Sequence, residues 1–170
     1  MNIEVGKTKI IAGTEFIILD KVDEGILCFS RDFVYRNTQF DSNSNNYANS
    51  EIRKKLNTEF LAKLANEVGE ENIISTNIDL TSDDGLDDYG RVTDKIGLLT
   101  ADMYRKYNRI IEKYPVNDWW WLSTPWSTPH RGWKYTVRVV NVIGALRNIN
   151  CNYYGGVRPF CIFSPSIFES

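Results

Sequence analysis

Histidine is nearly missing from this chain: His130 is the only one in 170 residues. The three cysteines, Cys28, Cys151 and Cys161, are an odd number without C-x-x-C spacing. These two shortages remove the usual ligand sets for zinc or copper and leave no disulfide framework to expect. Cys28 and Cys161 lie in apolar strings and read as small buried hydrophobes, whereas Cys151, between Asn150 and Asn152, is the cysteine expected to be exposed. No apolar run approaches the ~20 residues needed to span a bilayer, so no membrane association is expected. Residues 1–11 carry Glu4, Lys7 and Lys9 and no apolar core, unlike a signal peptide. The expected location is cytoplasmic, in a bacterium or a phage-infected host cell.

Catalytic signatures are also scarce. There is no G-x-S-x-G elbow, and a Ser or Cys triad would have to use His130 as its base. That residue sits in Thr128-Pro129-His130-Arg131-Gly132, a loop of flexible composition and a poor place to hold a base. The only glycine doublet, Gly155-Gly156, reads as a turn before a strand rather than before a helix, which excludes a phosphate loop. No catalytic residue, metal or cofactor is expected, and the chain reads as a non-enzymatic module.

Basic residues vanish from Leu64 to Gly90, a stretch that holds Glu67, Glu70, Glu71, Asp79, Asp83, Asp84, Asp87 and Asp88. The chain is correspondingly lopsided, at net −8 over residues 1–90 and net +6 over residues 91–170. One reading is a solvated acidic face that pairs loosely with the basic half; the other is a surface aimed at a cationic partner. The aspartates are hard oxygen donors of the kind calcium takes, but no glutamate follows at the EF-hand offset.

What the chain does contain is a mixture of strand and helix patterns that fits one domain, residues 1–170. Glu15 to Asp20 and Gly25 to Ser30 read as a hairpin. Ser50–Glu67 is a predicted helix, with a cap at Asn49 or Ser50, an apolar stripe of Ile52, Leu56, Phe60, Leu61 and Leu64, and a stop near Gly69. Ala101–Tyr114 is a second, capped by Thr100, with Met103, Tyr107, Ile110, Ile111 and Tyr114 at helical spacing. Ile96 to Leu99 reads as a strand, and so does Val157–Phe163. The expected architecture is α+β, two main helices packed on antiparallel β-sheets.

Five tryptophans crowd into residues 119–133. Trp119, Trp120 and Trp121 are consecutive, so a strand must send them to alternate faces. Trp126 and Trp133 flank a loop of Ser, Thr, Pro, Arg and Gly, with His130 and Arg131 inside it. Tryptophan and arginine are the side chains that most often dominate binding surfaces. Trp126, His130, Arg131 and Trp133 are therefore the candidate partner-binding residues, with the acidic stretch as the alternative face.

Several segments resemble one family in the right order along nearly the whole chain. Trp120-Trp121-Leu122-Ser123-Thr124-Pro125 is similar to its W-W-L-R-S-P motif, and Gly156-Val157-Arg158-Pro159 to its terminal G-V-R-P-A strand. Residues 46–57 with Phe60 are similar to its N-Y-x-x-S-x-I-R-x-x-L-N-x-x-F helix, and residues 94–99 to its D-K-x-F-L-L segment. This is an uncharacterised domain family of Gram-positive bacteria and their phages. Ser123 departs from the arginine of its motif. The resemblance implies a C-type-lectin-like scaffold, related to that of the formylglycine-generating enzymes, with Trp120, Trp121, Pro125, Gly156, Arg158 and Pro159 as structural landmarks. It implies no catalysis, because the cysteines lack the local pattern of a copper site. Nor does it imply calcium-dependent sugar binding, because Asn117-Asp118-Trp119 is not a lectin signature.

The function expected is recognition of a protein partner through the aromatic loop. One alternative is a small phage-encoded inhibitor of a host defence system, an anti-CRISPR protein for example. There the acidic stretch would imitate nucleic acid before a nuclease or other nucleic-acid-binding protein. A glycan-binding module is a second alternative. Direct binding of nucleic acid is not expected.

Overall fold

The computed structural model describes residues 3–169. The chain opens with β1 (Thr8–Ile11), β2 (Thr14–Val22), β3 (Gly25–Ser30) and β4 (Tyr35–Thr38). The β1–β2 turn is Ala12-Gly13, with φ of 50° and 77°. Such positive angles suit a two-residue hairpin and cost Ala12 some strain. The carboxylate of Glu67, reaching from the first helix, accepts the Ala12 N–H and holds that turn. One of the acidic candidates thus has a local structural task.

The first helix covers residues 51–68, with Ser50 Oγ accepting the Arg53 N–H at 3.2 Å as its cap. It is not uniformly α-helical: a π turn, Leu56–Phe60, separates α-helical Glu51–Lys55 from Leu61–Val68. The apolar stripe explains the interruption. Ile52, Leu56, Phe60 and Leu64 are each four residues apart, and four residues overshoot an α-helical turn by about 40°. A purely α-helical stripe at this spacing would drift around the barrel of the helix. One wider turn cancels the drift, and all four side chains are buried. Gly69, at φ 86°, ends the helix.

Short strands β5 (Ile73–Ile74), β6 (Thr76–Asp79) and β7 (Arg91–Asp94) follow. The second helix, Ala101–Ile111, is capped at Met103 N–H by Thr100 Oγ1, and Thr124 Oγ1 accepts the N–H of Ala101. It stops three residues short of the expected Tyr114. Then come β8 (Trp120–Pro125), β9 (Thr136–Val140), β10 (Leu146–Asn150), β11 (Gly155–Val157) and β12 (Phe160–Phe163). Among the described residues, no helix is long and apolar enough to cross a membrane.

The fold is α+β, dominated by strands. One five-stranded sheet has the order β1-β2-β3-β12-β5, another β10-β9-β8-β11-β4, and β6 pairs with β7 alone. Three expectations need correction here. Residues 157–163 are not one strand: Val157 belongs to the second sheet and Phe160–Phe163 to the first, the chain crossing between them at Arg158-Pro159. Proline cannot continue a ladder on its N–H side, which fits the break. Gly155-Gly156 is not a turn but most of β11. It pairs in parallel with β8, Gly156 opposite Trp120, so the sheets are not wholly antiparallel. Ile96 to Leu99 contributes only an isolated bridge, Gly97 to Phe160.

The glycine doublet has a packing reason. A Cβ on Gly155 would lie 2.3 Å from the Trp119 ring, and one on Gly156 2.1 Å from the Phe33 ring. β8, like β3, is covered along its whole length, all six residues being buried. Trp120 faces Phe29 and Tyr104, with ring centroids at 5.3 and 5.6 Å. Trp121 faces the other way, against Phe40 and Trp119 at 5.6 and 4.8 Å. Cys28, Cys161 and Cys151 are all buried. The exposure expected of Cys151 is therefore corrected: its N–H donates to Tyr135 O at 2.7 Å, which draws it beneath the segment that leads into β9.

Candidate functional site

The two surfaces that the sequence offered as rivals meet in space. The acidic loop, residues 80–90, connects β6 to β7 and docks on the segment that leaves β8. The Asp83 N–H donates to Pro125 O at 2.9 Å, and Ser127 Oγ donates to Asp84 Oδ2 at 2.7 Å. Arg131 Nε lies 3.3 Å from the same Asp84 oxygen. Asp83, only 17% exposed, is 3.0 Å from an Arg105 nitrogen and 3.4 Å from Arg138 Nε. Asp79 pairs with Arg91 at 3.2 Å.

Much of the acidic stretch is thus neutralised by the basic half of the chain. Glu67 holds a turn, and Glu70 and Glu71 lie on a separate short turn after the first helix. Asp87 and Asp88 are exposed and, among the described residues, have no ion-pair partner.

The aromatic loop is held from beneath by a residue that sequence reasoning passed over. Asn45 is fully buried, and its Nδ2 donates to Ser127 O at 2.9 Å, Thr136 O at 3.0 Å and, more weakly, Trp133 O at 3.3 Å. Its N–H donates to Lys134 O at 2.8 Å, and the Tyr89 hydroxyl donates to its Oδ1 at 2.6 Å. One side chain therefore ties both ends of the loop together. No local signal marked it; Asn45 sits in a run of Asn and Ser that reads as ordinary loop, and its partners in the aromatic loop are 82 to 91 residues away.

Further bonds stiffen the same segment. The Trp126 N–H donates to Thr136 O, the N–H groups of Arg131 and Trp133 to Thr128 O, and that of Gly132 to Pro129 O. Pro129–Arg131 form one 3-10 turn, closed by Gly132 in the left-handed region at φ 82°. The loop of flexible composition is a pinned one.

The four candidate residues have different surroundings. Trp126 is half-buried, with the Arg138 guanidinium 5.2 Å from its ring centroid. Trp133 is 46% exposed, and Tyr135 beside it 47%. His130 and Arg131 are exposed on the 3-10 turn. The structure therefore brings Trp133, His130, Arg131 and Tyr135 to the surface and holds Trp126 below them. No base, nucleophile and orienting group converge among these residues.

The landmark residues are structural in placement. Trp120, Trp121, Pro125, Gly156 and Pro159 are buried, and Arg158 is only 1% exposed. Arg158 Nε donates to Ser30 O at 3.2 Å, and Nη2 to Arg31 O at 2.8 Å. Its guanidinium lies 4.6 Å from the Phe29 centroid and 5.0 Å from that of Trp120. Burial draws its pKa down to about 9, which leaves it charged at neutral pH. Ser123, at the position where the resembled motif has arginine, is fully buried, and among the described residues its hydroxyl has no hydrogen-bond partner.

Comparison with models of protein families, with curated proteins and with solved structures finds no match.

The contact between the loops has a pH signature. Hydrogen bonding from Ser82 and Ser127, with Arg131 nearby, holds the Asp84 carboxyl below the usual aspartate range, and bonds from Thr81 do the same for Asp79. A carboxylate with a depressed pKa stabilises the fold above its unfolded value, and the contribution is lost as pH falls through the folded value. Amide NMR signals of residues 82–86 and Ser127 are therefore expected to shift together in a transition below about pH 4, with those of β3 and β12 unmoved. A transition centred above that value would remove Asp84 as the link.

Proposed function

We propose that this protein is a non-enzymatic binding module that recognises a protein partner through the surface around Trp133. The single observation that carries this reading is an exposed aromatic pair, Trp133 and Tyr135, on a segment whose backbone is fixed from below by Asn45. Rigid aromatic anchors bind at low entropic cost, and the neighbouring His130 and Arg131 supply a polar edge. The scaffold we propose is C-type-lectin-like. What supports it is the pair of helices set among hairpins, and the return of β12 to the sheet that β1 begins.

The nucleic-acid-imitating alternative draws its support from exposed carboxylates with no ion-pair partner among the described residues, Asp87 and Asp88 on the loop and Glu70 and Glu71 on the turn after the first helix. The ion pairs at Asp79, Asp83 and Asp84 weaken it, since paired charge makes a poor phosphate mimic.

The test is a comparison of variants in partner capture from a cell extract. Trp133→Ala is expected to weaken capture by about 2 kcal/mol or more with little change in melting temperature. The double variant Asp87→Asn, Asp88→Asn is expected to capture normally, and about 0.5 M salt is expected to have little effect. Capture that survives Trp133→Ala but fails in the double variant, or collapses in salt, would replace the aromatic reading with the acidic one.

A further inference from the structure

A second site lies apart from the aromatic loop. A shallow cleft of about 80 Å³ opens between the second helix and the β9–β10 hairpin. Trp120, Val140 and Arg158 line it, with Tyr104 and Ile111 from the helix. Val142 and Ile143, 55% and 80% exposed, stand at the hairpin tip beside it. The tip is fixed rather than loose. The Tyr104 hydroxyl donates to Gly144 O at 2.6 Å, and Asn141 Oδ1 accepts the N–H groups of Ile143 and Ala145.

Arg158 is the unusual member. It is almost wholly buried, yet among the described residues no carboxylate lies within ion-pair distance. Two of the five N–H donors of a guanidinium go to the Ser30 and Arg31 carbonyls. Among the described residues, that leaves Nη1 and the second Nη2 proton without a protein acceptor, in a group that lines an apolar cleft. Buried cations without an anion are costly, and a planar fork is suited to a carboxylate taken at both nitrogens. Glu112 lines the same cleft and is 56% exposed. Its negative charge opposes any anion, and opposes phosphates and other polyanions more than a single carboxylate. The cleft lies well below the roughly 300 to 1,000 Å³ of drug-sized pockets, so it suits only a small ligand that stays partly open to water.

We propose that this cleft binds a small monocarboxylate with an apolar body, the carboxylate held by Arg158 and the body against Trp120, Ile111 and Val140. The site is independent of the surface around Trp133, and Trp133→Ala is expected to leave it unchanged.

The experiment is an NMR titration of the whole protein with hexanoate, with its neutral counterpart hexanamide, and with inorganic phosphate. Hexanoate is expected to give saturable shifts at the Arg158 Nε–H and the Gly144 amide, and to bind at least about tenfold more tightly than hexanamide, a difference of about 1.4 kcal/mol. Phosphate is expected to give none at these groups. Ile143→Asp, at an exposed tip position that spares the fold, is expected to weaken hexanoate severalfold and hexanamide much less. Equal binding of hexanoate and hexanamide, absence of saturable shifts with hexanoate, saturable shifts with phosphate, or equal loss of both ligands in Ile143→Asp would each overturn the proposal.

Discussion

Asn45→Asp is expected to cost about 4 kcal/mol of folding free energy, although it exchanges one NH2 group for an oxygen and barely alters volume. In the native protein that NH2 group faces the carbonyls of Ser127, Thr136 and Trp133 in a site closed to water. A carboxylate there would set negative charge against three carbonyl oxygens and donate nothing. The Tyr89 hydroxyl would still have an acceptor, so the loss falls on the aromatic loop. Urea denaturation at neutral pH measures the effect as a lower midpoint at similar slope. The introduced carboxyl would have a raised pKa in the fold, because burial disfavours its charged form. A raised folded pKa in an acid means that the deficit narrows as pH falls, when a protonated carboxyl can donate one bond. Asn45→Ala should be milder, at about 2–3 kcal/mol, since it leaves carbonyls unpaired without adding charge. An Asn45→Asp protein with the native midpoint would show that the loop does not depend on this side chain.

Arg158→Met is expected to lower stability by about 3 kcal/mol, or roughly 6–12 °C in melting temperature for a chain of this size. Methionine is unbranched and apolar, and it fills much of the space of the arginine stem. What it lacks is the pair of donors for the Ser30 and Arg31 carbonyls and the cation between the Phe29 and Trp120 rings. Ser30 is buried, so water is a poor substitute at its carbonyl. Arg158→Lys keeps the charge but has no planar fork to reach both carbonyls at once, and should fall between the two. Calorimetry decides the matter; a melting temperature unchanged in Arg158→Met would mean that this arginine serves ligand binding alone and holds neither sheet.

Those two residues also show what the chain discloses and what it conceals. Features governed by near neighbours were legible. Ser50 and Thr100 announced the starts of both helices because a cap bonds three residues along its own chain. The stripe of Ile52, Leu56, Phe60 and Leu64 announced a buried face, though its four-residue spacing also carried the signal of a π turn that simple helical counting misses. Features settled at a distance were not legible. Nothing near Asn45 says that it reaches residues 127 to 136, and nothing in Val157–Phe163 says that one apolar run serves two sheets. The charge imbalance between the halves was plain in composition, but not that Asp83 meets Arg105 and Arg138, or that Asp84 meets Arg131. The loop from Trp126 to Trp133 has the residues of a mobile segment; its own 3-10 turn stiffens the middle, and contacts with the sequence-remote Asn45 fix its ends.

The split of residues 155–163 between β11 and β12 has a consequence for how the protein is made. β12 lies inside the first sheet, between β3 and β5, and β11 lies inside the second, between β8 and β4. On the ribosome, therefore, neither sheet can be completed until almost the entire chain has emerged. Until then β3, apolar on both faces, waits with one side of its backbone unpaired, and β8 with its tryptophans waits likewise. Such open strand edges are where nascent chains find one another. Synthesis that stalls after Asn150 would leave both wounds open at once. A chaperone that shields exposed β-strands until release would matter more to this fold than to one whose sheets close in the order they are translated.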